Sequence, residues 1–120
     1  MLSPGALRAA SGAALLLALG GCGDTERGKE MVARDFRDPA SLQWRDVRMV
    51  EHGGSDYLCG EVNGKNGFGA YAGFRPFVVD IGWGKAALEP RPQPGDDAAM
   101  TEAEAGFYRL LSSPCRQEEE

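Results

Sequence analysis

The sequence predicts a small α+β domain, a three-stranded antiparallel meander flanked by an N-terminal and a C-terminal helix. Three observations predict it. Apolar residues recur at helical spacing near both ends of the polar part of the chain, at Met31, Val32 and Phe36 and again at Ala103, Phe107, Leu110 and Leu111. Between them the period shortens toward two, and glycine-rich turn residues cut the stretch into short runs. With 120 residues the chain has room for one domain.

Residues 1–21 stand apart from that domain. Arg8 is their only charge, followed by the apolar run from Ala9 to Leu19 and then Gly20-Gly21-Cys22. A positive start, a short apolar run and small residues before a cut describe a secretory signal, because so short a run cannot span the roughly 30 Å of a bilayer core. Leu19-Gly20-Gly21-Cys22 also resembles the lipobox of bacterial lipoproteins. The resemblance implies cleavage before Cys22, diacylation of its thiol and acylation, for example by palmitate, of the new amino group. Several acyl chains, each CH₂ worth about 0.8 kcal/mol when buried, make a lasting anchor. Gly23 rather than Asp follows the cysteine, which by similarity to the sorting rule of enteric bacteria implies the periplasmic face of the outer membrane. The alternative is a plain secretory signal with an incidental cysteine.

The domain is expected over residues 25–116, after a tether at 22–24 and before an acidic tail at 117–120. Thr25 can cap a helix running to Arg37, and Asp38 before Pro39 ends it. Asp38-Pro39-Ala40-Ser41 has the form of a second start signal and predicts a single turn. Leu42 to Glu51 reads as the first strand, Tyr57 to Val62 as the second, and about Ala70 to Ile81 as the third, with turns at 52–56 and 63–67. Pro76 lacks a donor, so the third strand must be at an edge or bulge there. Lys85 to Asp97 carries Pro90, Pro92 and Pro94 and reads as an irregular connection. Thr101-Glu102-Ala103-Glu104 fits a capping box for the last helix, Pro114 is expected to stop it, and Arg116 to Glu120 to fray. Two helices on one face of the sheet, with Trp44, Phe74, Phe77 and Trp83 between, would give the fold its core.

The net charge of −5 offers no basic footprint, so nucleic acid is a poor partner and any membrane attachment is hydrophobic or covalent. With Cys22 lipidated, Cys59 and Cys115 remain, and in an oxidising compartment a disulfide is expected. Two buried free thiols or a metal pair are the alternatives; with one histidine in the chain a metal site lacks ligands.

The stretch from Tyr57 to Asp80 holds half of the aromatic side chains and two Asn-Gly pairs. Its glycines miss the familiar phosphate cradles. Gly60-Glu61-Val62-Asn63-Gly64-Lys65-Asn66 is one residue short of a P-loop and has Asn66 where Mg²⁺ needs a hydroxyl. Gly67 to Gly73 misses the dinucleotide spacing and lacks a βαβ frame. No cofactor is expected. Glu61 is the best candidate for acid or base work, with Asn63, Lys65 and Tyr71 as neighbours, although no second acid stands at a fixed nearby position. His52 reads as an exposed strand-end residue, and Ser55, Ser112 and Ser113 lack a paired base. A binding role fits better, because glycines bare a surface on which Tyr71, Phe74 and Phe77 remain. Whether that surface is covered from inside or offered to a partner stays open.

Cys59-Gly60-Glu61-Val62-Asn63-Gly64-Lys65-Asn66-Gly67-Phe68-Gly69-Ala70-Tyr71-Ala72-Gly73-Phe74 resembles the C-G-x-V-N-A-K-N-x-x-G-x-Y-x-G-F pattern of a group of small, uncharacterised proteobacterial envelope lipoproteins. Phe77-Val78-Val79, Asp38-Pro39-Ala40-Ser41 and Arg45-Asp46-Val47 extend the resemblance, and Gly64 departs from it. It implies a class and no reaction. The resulting expectation is a non-catalytic envelope lipoprotein that binds another envelope component, an envelope protein being one candidate partner, through Glu61, Asn63, Lys65, Asn66, Tyr71 and Phe74. The alternatives are an inhibitor of a cell-wall or foreign hydrolase and a minor hydrolase using Glu61.

Overall fold

A computed structural model of the chain describes residues 23–119. The expected signal, the lipidation site at Cys22 and the terminal Glu120 lie outside the described residues. Helix α1 occupies residues 23–33, a 3-10 turn follows at Pro39–Ser41, and four strands come next: β1 Gln43–His52, β2 Ser55–Asn63, β3 Arg75–Asp80 and β4 Lys85–Leu88. Helices α2, Ala98–Leu111, and α3, Ser113–Glu119, end the fold. The strands form one antiparallel sheet in the order β1-β2-β3-β4.

The sheet therefore has four strands, not three. Lys85-Ala86-Ala87-Leu88, expected as loop, is a strand because the 81–84 turn folds the chain straight back. Gly84 takes φ 73° there, its N–H donates to the Asp80 carbonyl at 2.8 Å, and the Trp83 N–H donates to Asp80 Oδ1 at 2.9 Å. Pro76 fits its place, since β4 ends at Leu88 opposite Phe77 and the side of residue 76 that lacks a donor faces past that end.

The helices cover opposite faces of the sheet, rather than one face together. Alternation along β2 sends Leu58 and Val62 to one side, where they meet Phe77, Val79 and Ile81 and are closed over by Val32 of α1. Trp44 packs edge-on to Phe77 with ring centroids 5.5 Å apart. Cys59 and Val78 point to the other side, where Ala87 and Leu111 complete a smaller cluster under α2. Of the four aromatics expected in the core, Trp44 and Phe77 are there. Trp83 is exposed in the 81–84 turn, and Phe74 lies just before β3.

Register along β1 depends on a bulge. Arg45 pairs with Glu61 and Arg48 with Cys59, so Asp46 and Val47 together oppose Gly60. Asp46 takes φ 55°, a conformation that a short polar side chain tolerates. The extra residue lets Trp44 and Met49, an odd number apart, face the same side of the sheet. Gly60 is needed opposite it, because a Cβ there would stand 3.1 Å from the Val47 Cα and 3.0 Å from the Phe77 ring.

Helix ends follow local chemistry that differs from the expected caps. The chain is already helical at residue 23, so Thr25 is not the cap, and α1 ends four residues before Arg37 in tight bonds from the Asp35 and Phe36 N–H groups to the Val32 and Ala33 carbonyls. Phe36 still reaches the core from beyond the helix. Asp97, not Thr101, caps α2, its carboxylate accepting from the Ala99 and Met100 N–H groups at 2.8 and 3.2 Å. Pro114 sits in the first turn of α3, where a missing N–H costs nothing, so the chain continues in helix through the segment expected to fray.

Cys59 and Cys115 form a disulfide with Cα atoms 5.8 Å apart, tying the strand β2 to helix α3 and closing a separation of 56 residues. Loop-closure entropy of that length is worth about 4 kcal/mol. Replacing both cysteines by alanine should lower unfolding stability by about that amount, read by denaturant titration under non-reducing conditions.

Candidate functional site

The β2–β3 connection, residues 64–74, is a shaped loop. Its stem is set by Asn63, only 7 % exposed, whose Oδ1 accepts from the Gly73 N–H at 2.9 Å and whose Nδ2 donates to Gln43 Oε1 at 3.1 Å. Lys65 pairs with Tyr71 across the loop, and the Ala72 N–H donates to the Gly64 carbonyl at 3.2 Å. Asn66 then organises the tip. Its Oδ1 accepts from the Phe68 and Ala70 N–H groups at 2.9 and 3.2 Å, and its own N–H donates to the Ala70 carbonyl at 2.8 Å. These are the bonds an Asx turn makes.

Side chains from elsewhere brace the outside. The Tyr71 hydroxyl donates to the Ser41 carbonyl at 2.7 Å, fixing the loop to the 3-10 turn. Arg91, from the proline-rich connection, donates to the Ala72 carbonyl at 2.8 Å and to the Phe74 carbonyl. Beneath the loop, Gly64 is buried against Phe36, whose ring would stand 2.4 Å from a Cβ at that position. Alanine at 64, the residue of the resembling pattern, does not fit under this ring without movement.

What the loop presents is Phe68. Its side chain is 97 % exposed, held between Gly67 and Gly69, the latter at φ 80°. No acid occurs in residues 64–74, while Lys65 lies within the loop, Arg37 reaches within 3.5 Å of a Cβ position at Gly67, and Arg91 grips the carbonyls. The Lys65 ammonium stands 5.6 Å from the Tyr71 ring centroid.

Arg45 links two of the remaining expected residues. It donates to Glu61 Oε2 at 2.7 Å and lies 4.0 Å above the Phe74 ring. The hydrogen bond to Glu61 holds the Arg45 guanidinium pKa above its ordinary value, and Glu61 is committed to that partner. Arg75, half-buried next along the chain, is pushed the other way by burial and by the nearby Arg91. Of the six expected binding residues, Asn63 and Asn66 therefore serve the backbone, Tyr71 braces, and Glu61 and Phe74 meet through Arg45. Of the six, the Lys65 side chain alone is solvent-exposed with no hydrogen bond of its own. Phe68 and Arg91 were not among them; an aromatic residue between two glycines was the available signal for Phe68.

A concavity of about 1250 Å³ lies on the side of the sheet away from α1, between the β1–β3 surface and α2 and α3. The disulfide is in its wall, with Glu61, Glu89, Tyr108 and Arg116 among the lining side chains. Arg116 donates to the buried Ser112 hydroxyl at 2.6 Å and to the Arg109 carbonyl at 2.9 Å, so this serine is part of a helix-end network. His52 is exposed at the end of β1. Among the described residues no group of three or more His, Cys, Asp or Glu side chains is placed to hold a metal, and no helix is long and apolar enough to cross a membrane.

Comparison of the chain with protein-family models, with curated proteins and with solved structures finds no match.

Replacing Asn66 by alanine removes two backbone acceptors from the loop tip. Amide exchange at Phe68 and Ala70 should accelerate by roughly tenfold, about 1 to 1.5 kcal/mol of local protection, while the global unfolding transition stays within a few tenths of a kcal/mol of wild type.

Proposed function

We propose that the protein is a non-catalytic lipoprotein of the bacterial envelope, anchored through Cys22 at the periplasmic face of the outer membrane, that binds another envelope protein through loop 64–74. The observation that carries this reading is the exposed Phe68 on a loop whose backbone is already hydrogen-bonded. An aromatic anchor buried in a partner's pocket can carry much of a binding energy, and a loop ordered beforehand loses little entropy on binding. The partner that fits is a protein with an apolar pocket edged by carboxylates, because the loop carries Lys65 and no acid, with Arg37 and Arg91 beside it.

The direction of α1 supports the same reading. Gly28 lies against Leu58 and Ile81 at one end of the sheet, and Phe36 lies against Gly64 at the other. The loop therefore stands at the end of the domain away from Gly23, separated from the start of α1 by about the length of β3, roughly 20 Å. On an anchored protein this directs Phe68 away from the lipid. The pre-ordered, convex shape of the loop also suits entry into an enzyme cleft, so the hydrolase-inhibitor reading is kept as the second one.

Capture from crosslinked envelope with wild type and Phe68→Ala tests both. The variant should fold with unchanged stability and lose at least tenfold in partner recovery, a cost of about 1.4 kcal/mol or more. Equal recovery removes the loop from the reading, and a captured hydrolase whose turnover falls on binding selects the inhibitor. Mass spectrometry of the protein from membranes should show acyl chains on Cys22 and no peptide from residues 1–21; an unmodified Cys22 removes the anchor.

A further inference from the structure

Trp83, expected between the sheet and its helices, is instead 63 % exposed in the 81–84 turn. The turn holds it there. Its N–H donates to Asp80 Oδ1 at 2.9 Å, and the Gly84 N–H donates to the Asp80 carbonyl at 2.8 Å. Glycines flank it on both sides: a Cβ at Gly84 would meet nothing within 4 Å, and one at Gly82 would stand 3.9 Å from Asp80 Oδ1. The indole thus stands clear on a backbone that is already tied down. Lys85, also exposed, follows in the chain with its ammonium 6.0 Å from the ring centroid. An indole beside a lysine suits the headgroup level of a bilayer, where the ring meets the upper acyl carbons and the ammonium reaches the phosphates.

The place of this turn selects its partner. The turn begins at Ile81, against which α1 packs through Gly28, at the end of the sheet opposite loop 64–74. Five further residues of helix, about 7 Å, lead back from Gly28 to Gly23, away from that loop. Cys22, the acylated residue of the proposed anchor, is bonded directly to Gly23. The helix therefore starts one residue from the lipid, where a tether over residues 22–24 was expected. We propose that Trp83, with Lys85 beside it, inserts into the phospholipid surface that holds the acyl chains, so that the domain touches the bilayer at two points. This inference rests on the anchoring of Cys22. So short a link makes the second contact intramolecular, and one side chain then suffices for a contact that would be negligible between free partners. Two contacts limit the tilt of the domain and keep loop 64–74 facing away from the membrane. Glu51 and Asp56, exposed on either side of the neighbouring turn at 53–54, oppose an anionic surface, so the lipid that fits is zwitterionic.

The test uses the protein as purified from membranes, reconstituted into phosphatidylcholine vesicles with or without bromine on the upper acyl carbons, a short-range quencher of indole fluorescence. The chain has two tryptophans, so the difference between wild type and Trp83→Phe isolates the emission of Trp83. Trp44, paired with Val62 at the far end of the sheet, is the internal control. Brominated lipid should reduce the Trp83 emission by roughly twofold or more and leave the Trp83→Phe variant unquenched. Formation of the Cys59–Cys115 disulfide, read on non-reducing gels, establishes that the variant is folded. Flotation with the vesicles and the mass of the N-terminal peptide are read on the same sample. Acylated protein that floats with Trp83 unquenched overturns the insertion and leaves the anchor standing, and equal quenching of Trp44 overturns the orientation. Protein that carries no acyl chain and does not float removes the anchor, and this inference with it. Phosphatidylglycerol in place of phosphatidylcholine should give less quenching; more would overturn the zwitterionic preference.

Discussion

The hold between the sheet and its C-terminal helices depends on one covalent bond as much as on packing. On the α1 side six buried apolar residues interlock, and that cluster draws on α1, the strands and Ile81 of the 81–84 turn. On the other side the buried apolar cluster is Val78, Ala87 and Leu111, with Tyr57, Tyr108 and Cys115 packed around it. Burial of three such side chains, one of them an alanine, is worth about 4 to 5 kcal/mol, comparable to the bridge itself. The unequal filling also accounts for the concavity. Where the bridge rather than packing sets the spacing, the layer between sheet and helices is left partly open.

This division of labour explains how one stretch of glycines can serve two ends. Gly60 and Gly64 are covered from within, the first by Val47 and Phe77 and the second by Phe36 and Leu42. They allow close approach where a side chain would collide. Gly67 and Gly69 do the opposite, clearing the space around Phe68 so that none of the described residues covers it. A surface that reads from sequence as one bare patch is thus half core and half projection, and the boundary falls at Lys65.

Much of the fold is legible in the sequence, and what is not has identifiable causes. The helical and alternating periods mark α1, β1, β2 and α2, and counting cysteines finds the bridge. Strand β4 is hidden because Lys85-Ala86-Ala87-Leu88 contains no β-branched or aromatic residue, and the tight turn before it outweighs that weak preference. The placement of α1 and α2 on opposite faces is invisible in the same way, since periodicity gives each helix a stripe but not the surface it meets. For α2 even the stripe misleads, because the apolar arc runs past the buried side and out into solvent. Two residues of the candidate site mislead for a chemical reason. Asn63 and Asn66 carry groups suited to a ligand, and the loop uses those groups to satisfy its own backbone.

The bridge has a further consequence for the chain as an object. Between Cys59 and Cys115 the backbone and the two sulfurs form a closed ring containing loop 64–74, β3, β4, the exposed connection at 91–97 and α2. A peptidase cut at any one point of that ring opens it without releasing a fragment. The accessible, proline-bearing connection can therefore be nicked while both pieces travel together, and the break is seen only when the sulfurs are separated. A single cut in β1, outside the ring, severs the molecule into two chains that no covalent link joins.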